Sequence, residues 1–216
     1  MKRAIIFANG EMDNPPEIIK HLQPEDLIIA ADGGSRHCKI LGITPSVIIG
    51  DFDSLDEHQL ASYTQAGVVI RQYPSHKNET DLELALYYAM QQECLEVYIL
   101  GALGARWDMT VANILLLAHP AFSSMRIHLL EGPQELILLR GNGTYEIHGR
   151  PGDSLSLIPL AGDAKGITTR GLEYPLKDET LAFGSSRGVS NVFIDDHVQI
   201  NVGDGILLCF ANWQKR

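Results

Sequence analysis

The chain has 216 residues, 45% hydrophobic and 20% charged, an ordinary balance for one large globular domain or two small ones. Its net charge of −10 argues against non-specific nucleic-acid binding, which needs a basic footprint, but leaves anionic substrates open because metal ions and local Arg or Lys can supply positive charge. No apolar run approaches a membrane span, and Cys38, Cys94 and Cys209 are too few and too widely spaced for a disulfide framework or a zinc site. The apolar stretch after Met1-Lys2-Arg3 breaks at Asn9-Gly10-Glu11, too early for a signal peptide. Free thiols without a leader predict a cytoplasmic protein.

Along the first half, short apolar runs predict strands at 4–8, 27–31, 47–49, 68–71, 97–100 and 126–130. Amphipathic stretches between them predict helices near 15–22, 34–41, 56–66, 80–93 and 108–118. In the fourth of these, Leu82, Ala85, Leu86, Ala89 and Met90 follow the spacing of one buried face, and Thr80 with Glu83 reads as a capping box. Alternation of strand and helix implies βαβ units and a mostly parallel, Rossmann-like sheet. Beyond residue 130 the helical period disappears. Apolar runs at 135–139, 144–147, 154–158, 180–183, 192–194 and 206–210 are separated by Gly, Asn, Pro and Asp, which predicts an antiparallel β-sandwich or barrel. The boundary falls near Glu131-Gly132-Pro133, giving an α/β domain at 1–131 and an all-β domain at 132–216. There is no low-complexity linker and no internal repeat.

The segment Gly50-Asp51-Phe52-Asp53-Ser54 follows the third run directly. It places two carboxylates, one residue apart, at the carboxyl end of a core strand, where ligands bind in an open parallel sheet. Carboxylates suit magnesium, which usually arrives with substrate phosphates. Three further features fall at corresponding places. Asp32-Gly33-Gly34 follows the second strand, Asp81 opens the helix at 80–93, and Gly101-Ala102-Leu103-Gly104-Ala105-Arg106 links the fifth strand to the next helix. Each has a plainer explanation: a turn, a partner for the helix dipole, or a strand-to-helix link. If the sheet is parallel, all of them gather on one edge. Asp51, Asp53 and Asp81 then form a candidate magnesium site. Gly101 and Gly104 allow backbone amides to approach phosphate oxygens. Lys77 and Arg106 are the nearby cations, unless they are ordinary solvated side chains. In the second half, Gly184-Ser185-Ser186-Arg187-Gly188-Val189-Ser190-Asn191 reads locally as a long hairpin turn, although Ser190 and Asn191 also suit a heteroaromatic ring.

Six pieces in order carry a resemblance over nearly the whole length. They are Asp32-Gly33-Gly34; Gly50-Asp51-Phe52-Asp53-Ser54; Lys77-x-x-Thr80-Asp81-Leu82-Glu83; Gly101-x-x-Gly104-x-Arg106-x-Asp108 with Asn113; Gly171-Leu172-x-Tyr174-Pro175-Leu176; and Gly184-x-Ser186-Arg187-Gly188-Val189-Ser190-Asn191. Together they resemble the thiamine pyrophosphokinase family. Two departures stand out: Ala105 stands where the family often has a second glycine, and Met109 where it often has a histidine.

The resemblance implies an α/β ATP-binding domain followed by a thiamine-binding β-sandwich. It implies a homodimer with active sites shared between subunits. It implies transfer of the pyrophosphoryl unit of ATP to the thiamine hydroxyl, giving thiamine diphosphate and AMP. Carried over by motif, Asp51, Asp53 and Asp81 would hold Mg²⁺, and Asp32 would act near the metal or the hydroxyl. Lys77, Thr80, Gly101, Gly104, Arg106, Asp108 and Asn113 would serve the nucleotide. Arg187, Ser190 and Asn191 would serve thiamine, with Phe193 packing on its ring. Any of Asp32, Asp53 and Asp81 could be the general base. Two other classes remain open on the residues alone. One is a metal-dependent glycosyl- or nucleotidyl-transferase, which also uses Asp-x-Asp. The other is a thiamine- or nucleotide-binding sensor without catalysis.

Overall fold

A computed structural model describes residues 2–12, 15, 19–20, 22–53, 57–104 and 106–214. The chain divides into two compact units, Met1–Gly132 and Pro133–Arg216. The first contains strands β1 (Arg3–Phe7), β2 (Leu27–Ala31), β3 (Val47–Gly50), β4 (Val69–Gln72), β5 (Glu96–Leu100) and β6 (Arg126–Glu131). Its helices are α1 (Ser35–Leu41), α2 (Glu57–Gln65), α3 (Asp81–Gln91) and α4 (Trp107–Leu116). The helix expected near 15–22 falls largely on residues outside those described.

These strands form a parallel sheet in the order β6-β5-β1-β2-β3-β4. The near-continuous aliphatic composition of β1, β2 and β3 reflects burial on both faces, whereas the edge strand β4 is largely exposed. Alternate residues Ile5, Phe7, Ile28, Ala30 and Ile48 share a core with Cys38 of α1, against which Leu60 and Tyr63 of α2 pack. Helix α3 packs against β1, β2 and β3 through a face that includes Leu82, Ala85, Leu86 and Ala89. Thr80 Oγ1 accepts the Glu83 N–H at 3.2 Å, which fixes the start of that helix. The chain runs outward from β1 through β4, then crosses back to β5 on the other side of β1. That reversal creates a switch point between β1 and β5, the crevice where open α/β sheets bind ligands.

The second unit contains β7 (Gln134–Arg140), β8 (Gly143–His148), β9 (Ser154–Pro159), β10 (Ala164–Arg170), β11 (Glu179–Leu181), β12 (Asn191–Val192), β13 (His197–Val202) and β14 (Ile206–Asn212). Within this unit the antiparallel order β12-β9-β14-β7 forms one layer and β11-β10-β13-β8 the other. Leu139, Leu155, Leu207 and Cys209 of the first layer share one core with Ile147, Ile167, Val198 and Ile200 of the second. The unit is a β-sandwich. Strands β10 and β13 go beyond the six runs expected here. The segment 184–190 is not a hairpin turn, because it leaves β11 in one layer and enters β12 in the other.

Candidate active site

The carboxyl ends of β1, β2, β3 and β5 open onto a cavity of about 410 Å³. Asn9 and Gly10 reach it after β1, Asp32 after β2, Asp51 after β3, and Gly101, Ala102 and Gly104 after β5. The start of α3 and the loop before it add Lys77, Thr80 and Asp81, and α4 with its N-cap adds Arg106, Met109 and Asn113. Most of the nucleotide- and metal-side residues expected from sequence therefore meet on one wall. Asp53 and Asp108 are not among the lining residues.

Close backbone approach explains the Asp32-Gly33-Gly34 turn. A Cβ on Gly34 would stand 1.9 Å from the Phe7 carbonyl oxygen, and one on Gly33 would stand 2.4 Å from Asn9 Oδ1. The two glycines let the loop after β2 press against the loop after β1, which carries Asp32 to the cavity. Asp32 itself has φ 44° and Phe52 has φ 64°, both left-handed and both unusual for residues other than glycine. Phe52 is buried in the α/β core between the two carboxylates of its loop. Its anchored ring offsets the backbone strain, and strain held in this way concentrates at functional sites. The neighbouring Asp53 is tied in by its own N–H, which donates to Asp51 Oδ1 at 3.2 Å, and by Ser75 Oγ, which donates to Asp53 Oδ2 at 3.2 Å. Ser54 lies outside the described residues.

Lys77 is not an ordinary solvated side chain. It is only 12% exposed, and its Nζ stands 2.9 Å from Asp81 Oδ1. That oxygen is buried and ion-paired, yet no donor is aligned to hydrogen-bond it. An aligned partner is therefore lacking for a buried carboxylate oxygen on the same cavity wall as Asp32 and Asp51. An all-carboxylate donor set of this kind suits magnesium. Among the described residues no three His, Cys, Asp or Glu side chains form a complete cation cage. Magnesium does not require one, since it keeps several waters and takes one or two carboxylates together with substrate phosphates.

The turns after β1 and β5 are laced together. Gly10 N–H donates to the Gly101 carbonyl at 2.6 Å, and Glu11 N–H to the Leu103 carbonyl at 3.3 Å. Gly101 and Gly104 have φ 65° and 86°, the region glycine enters without penalty. Asn113 is buried and donates from Nδ2 to the Ala102 carbonyl at 2.7 Å, so it supports the turn from behind. Arg106 forms an exposed double contact with Asp108, which holds the Asp108 carboxyl below its usual range. Ala105 lies outside the described residues.

In the sandwich unit, Asn191 Oδ1 accepts from the N–H groups of Tyr174 and Val192 at 3.0 and 2.9 Å, and Nδ2 donates to the Tyr174 carbonyl at 2.7 Å. One Nδ2 hydrogen remains outside these contacts. Ser190 sits at φ 62° with its N–H on Ser156 Oγ at 3.0 Å. Arg187 pairs with Glu179 at 3.0 Å. Phe193 corrects the expectation of a ring contact. It is 1% exposed and packs edge-on against Trp213 inside the sandwich core, so its side chain has no free face to offer.

Sequence reasoning did not single out Asn9, Gly10, Ser75 or Glu79 as cavity residues. For Asn9-Gly10 the signal was present: a polar residue and a glycine at the end of an apolar run, as at Asp32 and Asp51.

Residues 19–129 match the family signature described as "Thiamin pyrophosphokinase, catalytic domain", and residues 144–207 match "Thiamin pyrophosphokinase, vitamin B1 binding domain". A thiamine pyrophosphokinase of Bacillus subtilis (strain 168) is 30% identical over 209 residues, covering 96% of this chain and 97% of the relative. A crystal structure of the Bacillus subtilis thiamine pyrophosphokinase superposes with a TM-score of 0.88 at 27% identity, covering 99% of this chain and 100% of the other. The structure of thiamin pyrophosphokinase from Candida albicans gives a TM-score of 0.83 at 16% identity, covering 99% and 89% of the two chains, and bears on the fold alone.

Proposed function

Because this chain belongs to the thiamine pyrophosphokinase family and is an enzyme, we propose that it transfers the pyrophosphoryl group of ATP to the hydroxyl of thiamine, giving thiamine diphosphate and AMP. The observation that carries this reading is the cavity at the β1/β5 switch point. It brings Asp32, Asp51, Asp81 and Lys77 together with two hydrogen-bonded glycine turns.

The thiamine oxygen attacks the β-phosphorus of ATP in line with departing AMP. A new oxygen–phosphorus bond forms as the bond from that phosphorus to the oxygen of AMP breaks. Such a transfer is mostly positioning and charge stabilisation. Asp51 and Asp81, with Asp53 beside them, would hold Mg²⁺, which when bound neutralises polyphosphate charge. Lys77 adds a buried positive charge on the same wall. The hydroxyl proton passes to a carboxylate. Asp53 is not on the cavity wall, which leaves Asp32 and Asp81, both lining it, as the candidates for that base. Thr80, Gly101, Gly104 and Arg106 position the nucleotide, and Asn113 supports its turn; Asp108 acts through its contact with Arg106.

Ser190 and Asn191 are the proposed contacts to the thiamine pyrimidine, with Arg187 nearby in sequence. The proposed assembly is a homodimer in which the α/β unit of one subunit works with the sandwich unit of the other. A cytoplasmic location fits three buried free cysteines, and among the described residues no helix is long and apolar enough to cross a membrane.

The test is product analysis of purified protein with ATP, thiamine and Mg²⁺. AMP and thiamine diphosphate should appear in equal amounts, and only when all three are present. ADP with thiamine monophosphate would contradict the reading.

A further inference from the structure

Two side chains of α1, Arg36 and His37, reach the turn after β1 from outside the cavity. The Gly10 carbonyl oxygen accepts from Arg36 Nη2 at 2.8 Å and lies 2.8 Å from His37 Nε2. Arg36 Nη2 also donates to the Asn9 carbonyl at 3.0 Å. His37 is 5% exposed, and its ring lies against the second turn: a Cβ added to Gly101 would meet Nε2 at 3.3 Å. Burial lowers the His37 pKa, so the ring is neutral, and its Nε2–H is the donor to Gly10.

The same arrangement continues through the second turn. The Gly101 carbonyl accepts from Gly10 N–H, Ala102 from Asn113, Leu103 from Glu11 N–H and Gly104 from Arg106 N–H. Every carbonyl of Asn9–Gly10 and of 101–104 thus meets a donor within the protein. A carbonyl dipole aimed at a polyphosphate repels it, whereas one bound by its own donors is turned aside and partly neutralised. Of these donors, Arg36 brings a full charge and His37 a buried ring between the two turns.

We propose that Arg36 and His37 are positioning residues for the nucleotide: by binding the Gly10 carbonyl they lock both glycine turns in the orientation that admits a polyphosphate. The inference rests on the reading that ATP occupies this cavity. Neither residue touches substrate, and both act through backbone.

The test compares Mg·ATP affinity by calorimetry, and the separate KM values for ATP and thiamine, in wild type, His37→Leu, His37→Gln and Arg36→Met. Gln can present an N–H near the position of Nε2. Arg36 is solvent-exposed, so Arg36→Met should fold even if His37→Leu does not, and it then decides alone. Loss of one such donor should weaken Mg·ATP roughly tenfold and leave the KM for thiamine unchanged. His37→Gln should recover most of that loss. Unchanged Mg·ATP affinity in folded Arg36→Met and His37→Leu would overturn the inference. So would equal weakening toward both substrates, or His37→Gln no better than His37→Leu. If wild type itself does not bind Mg·ATP, the nucleotide reading fails, and this inference with it.

Discussion

The two units build their polar loops in opposite ways. In the α/β unit, loops from four parallel strands converge on one cavity, and side-chain and backbone donors tie back the carbonyls of the turns after β1 and β5. In the sandwich unit, the segment entering β12 spends its side chains locally: Arg187 on Glu179, Asn191 on the backbone of Tyr174, Phe193 in the core. A parallel sheet gathers functional groups by topology, because every strand ends on the same edge. A sandwich loop has no such edge and must be shaped by its own hydrogen bonds. Under the proposed function, substitutions in the first unit should act on phosphate chemistry, and those in the second on recognition of the ring.

The largest effect is expected at Asp51 and Asp53. Alanine at either should lower kcat roughly 10²- to 10³-fold by misplacing the polyphosphate, with Tm within about 2 °C of wild type. Near wild-type turnover at limiting Mg²⁺ would remove that residue from the metal site. Asp53 is the sharper test, since it reaches the site through its loop and not from the cavity wall.

Asp81→Asn comes next. It dissolves the pair with Lys77, a loss of about 1 kcal/mol or a few degrees in Tm. If Asp81 holds metal, turnover should fall about 10²-fold, far beyond what that stability change explains. Retained turnover with the same small Tm shift would leave Asp81 as a helix-dipole partner only.

A smaller effect is expected at Asn191. Alanine removes the contacts that shape the Tyr174 turn, so the KM for thiamine should rise roughly tenfold while that for ATP stays put. Mixing Asp53→Ala chains with Asn191→Ala chains should raise turnover at low thiamine above that of either variant alone if sites are shared between subunits, because each heterodimer then carries one intact site. No recovery after verified exchange would place each site within one chain.

The smallest effect concerns pH. The folded-state pKa of His37 lies below its ordinary value of 6.5, chiefly through desolvation. Above pH 6.5 both folded and unfolded states are neutral there and nothing is lost. As pH falls below 6.5 the unfolded state protonates first, so stability declines toward the folded pKa. Wild type should therefore lose Tm more steeply than His37→Gln between pH 7.5 and 5.5, on the order of a few degrees. Parallel curves would show that His37 is not held neutral.

How much of this is legible without coordinates follows the same division. Burial makes the inner α/β strands nearly continuous apolar runs, so their ends, and Asp32, Asp51 and Gly101 beyond them, stand out. Asn9-Gly10 ends a run in the same way but carries no charge to flag its chemistry. The burial of Lys77 depends on how the loop before α3 folds, which no local pattern encodes. In the sandwich, β13 alternates regularly through Val198, Ile200 and Val202, but only for six residues beside an Asp pair. Strand β10 is harder to read, because Gly166 and a register shift between Ala164 and Ile167 interrupt its period. The facing of Phe193 is set by its isolated bridge to Leu172 and by Trp213, both distant in sequence.

The division of labour between the units is tested most directly by a crossed binding experiment. Mg·ATP and thiamine are titrated separately into wild type, Asp81→Asn and Asn191→Ala, each shown to be folded by its Tm. The account predicts a crosswise result: Asp81→Asn loses Mg·ATP affinity and keeps thiamine, whereas Asn191→Ala loses thiamine affinity and keeps Mg·ATP. The reverse pattern, or both ligands weakened equally by either substitution, would contradict it.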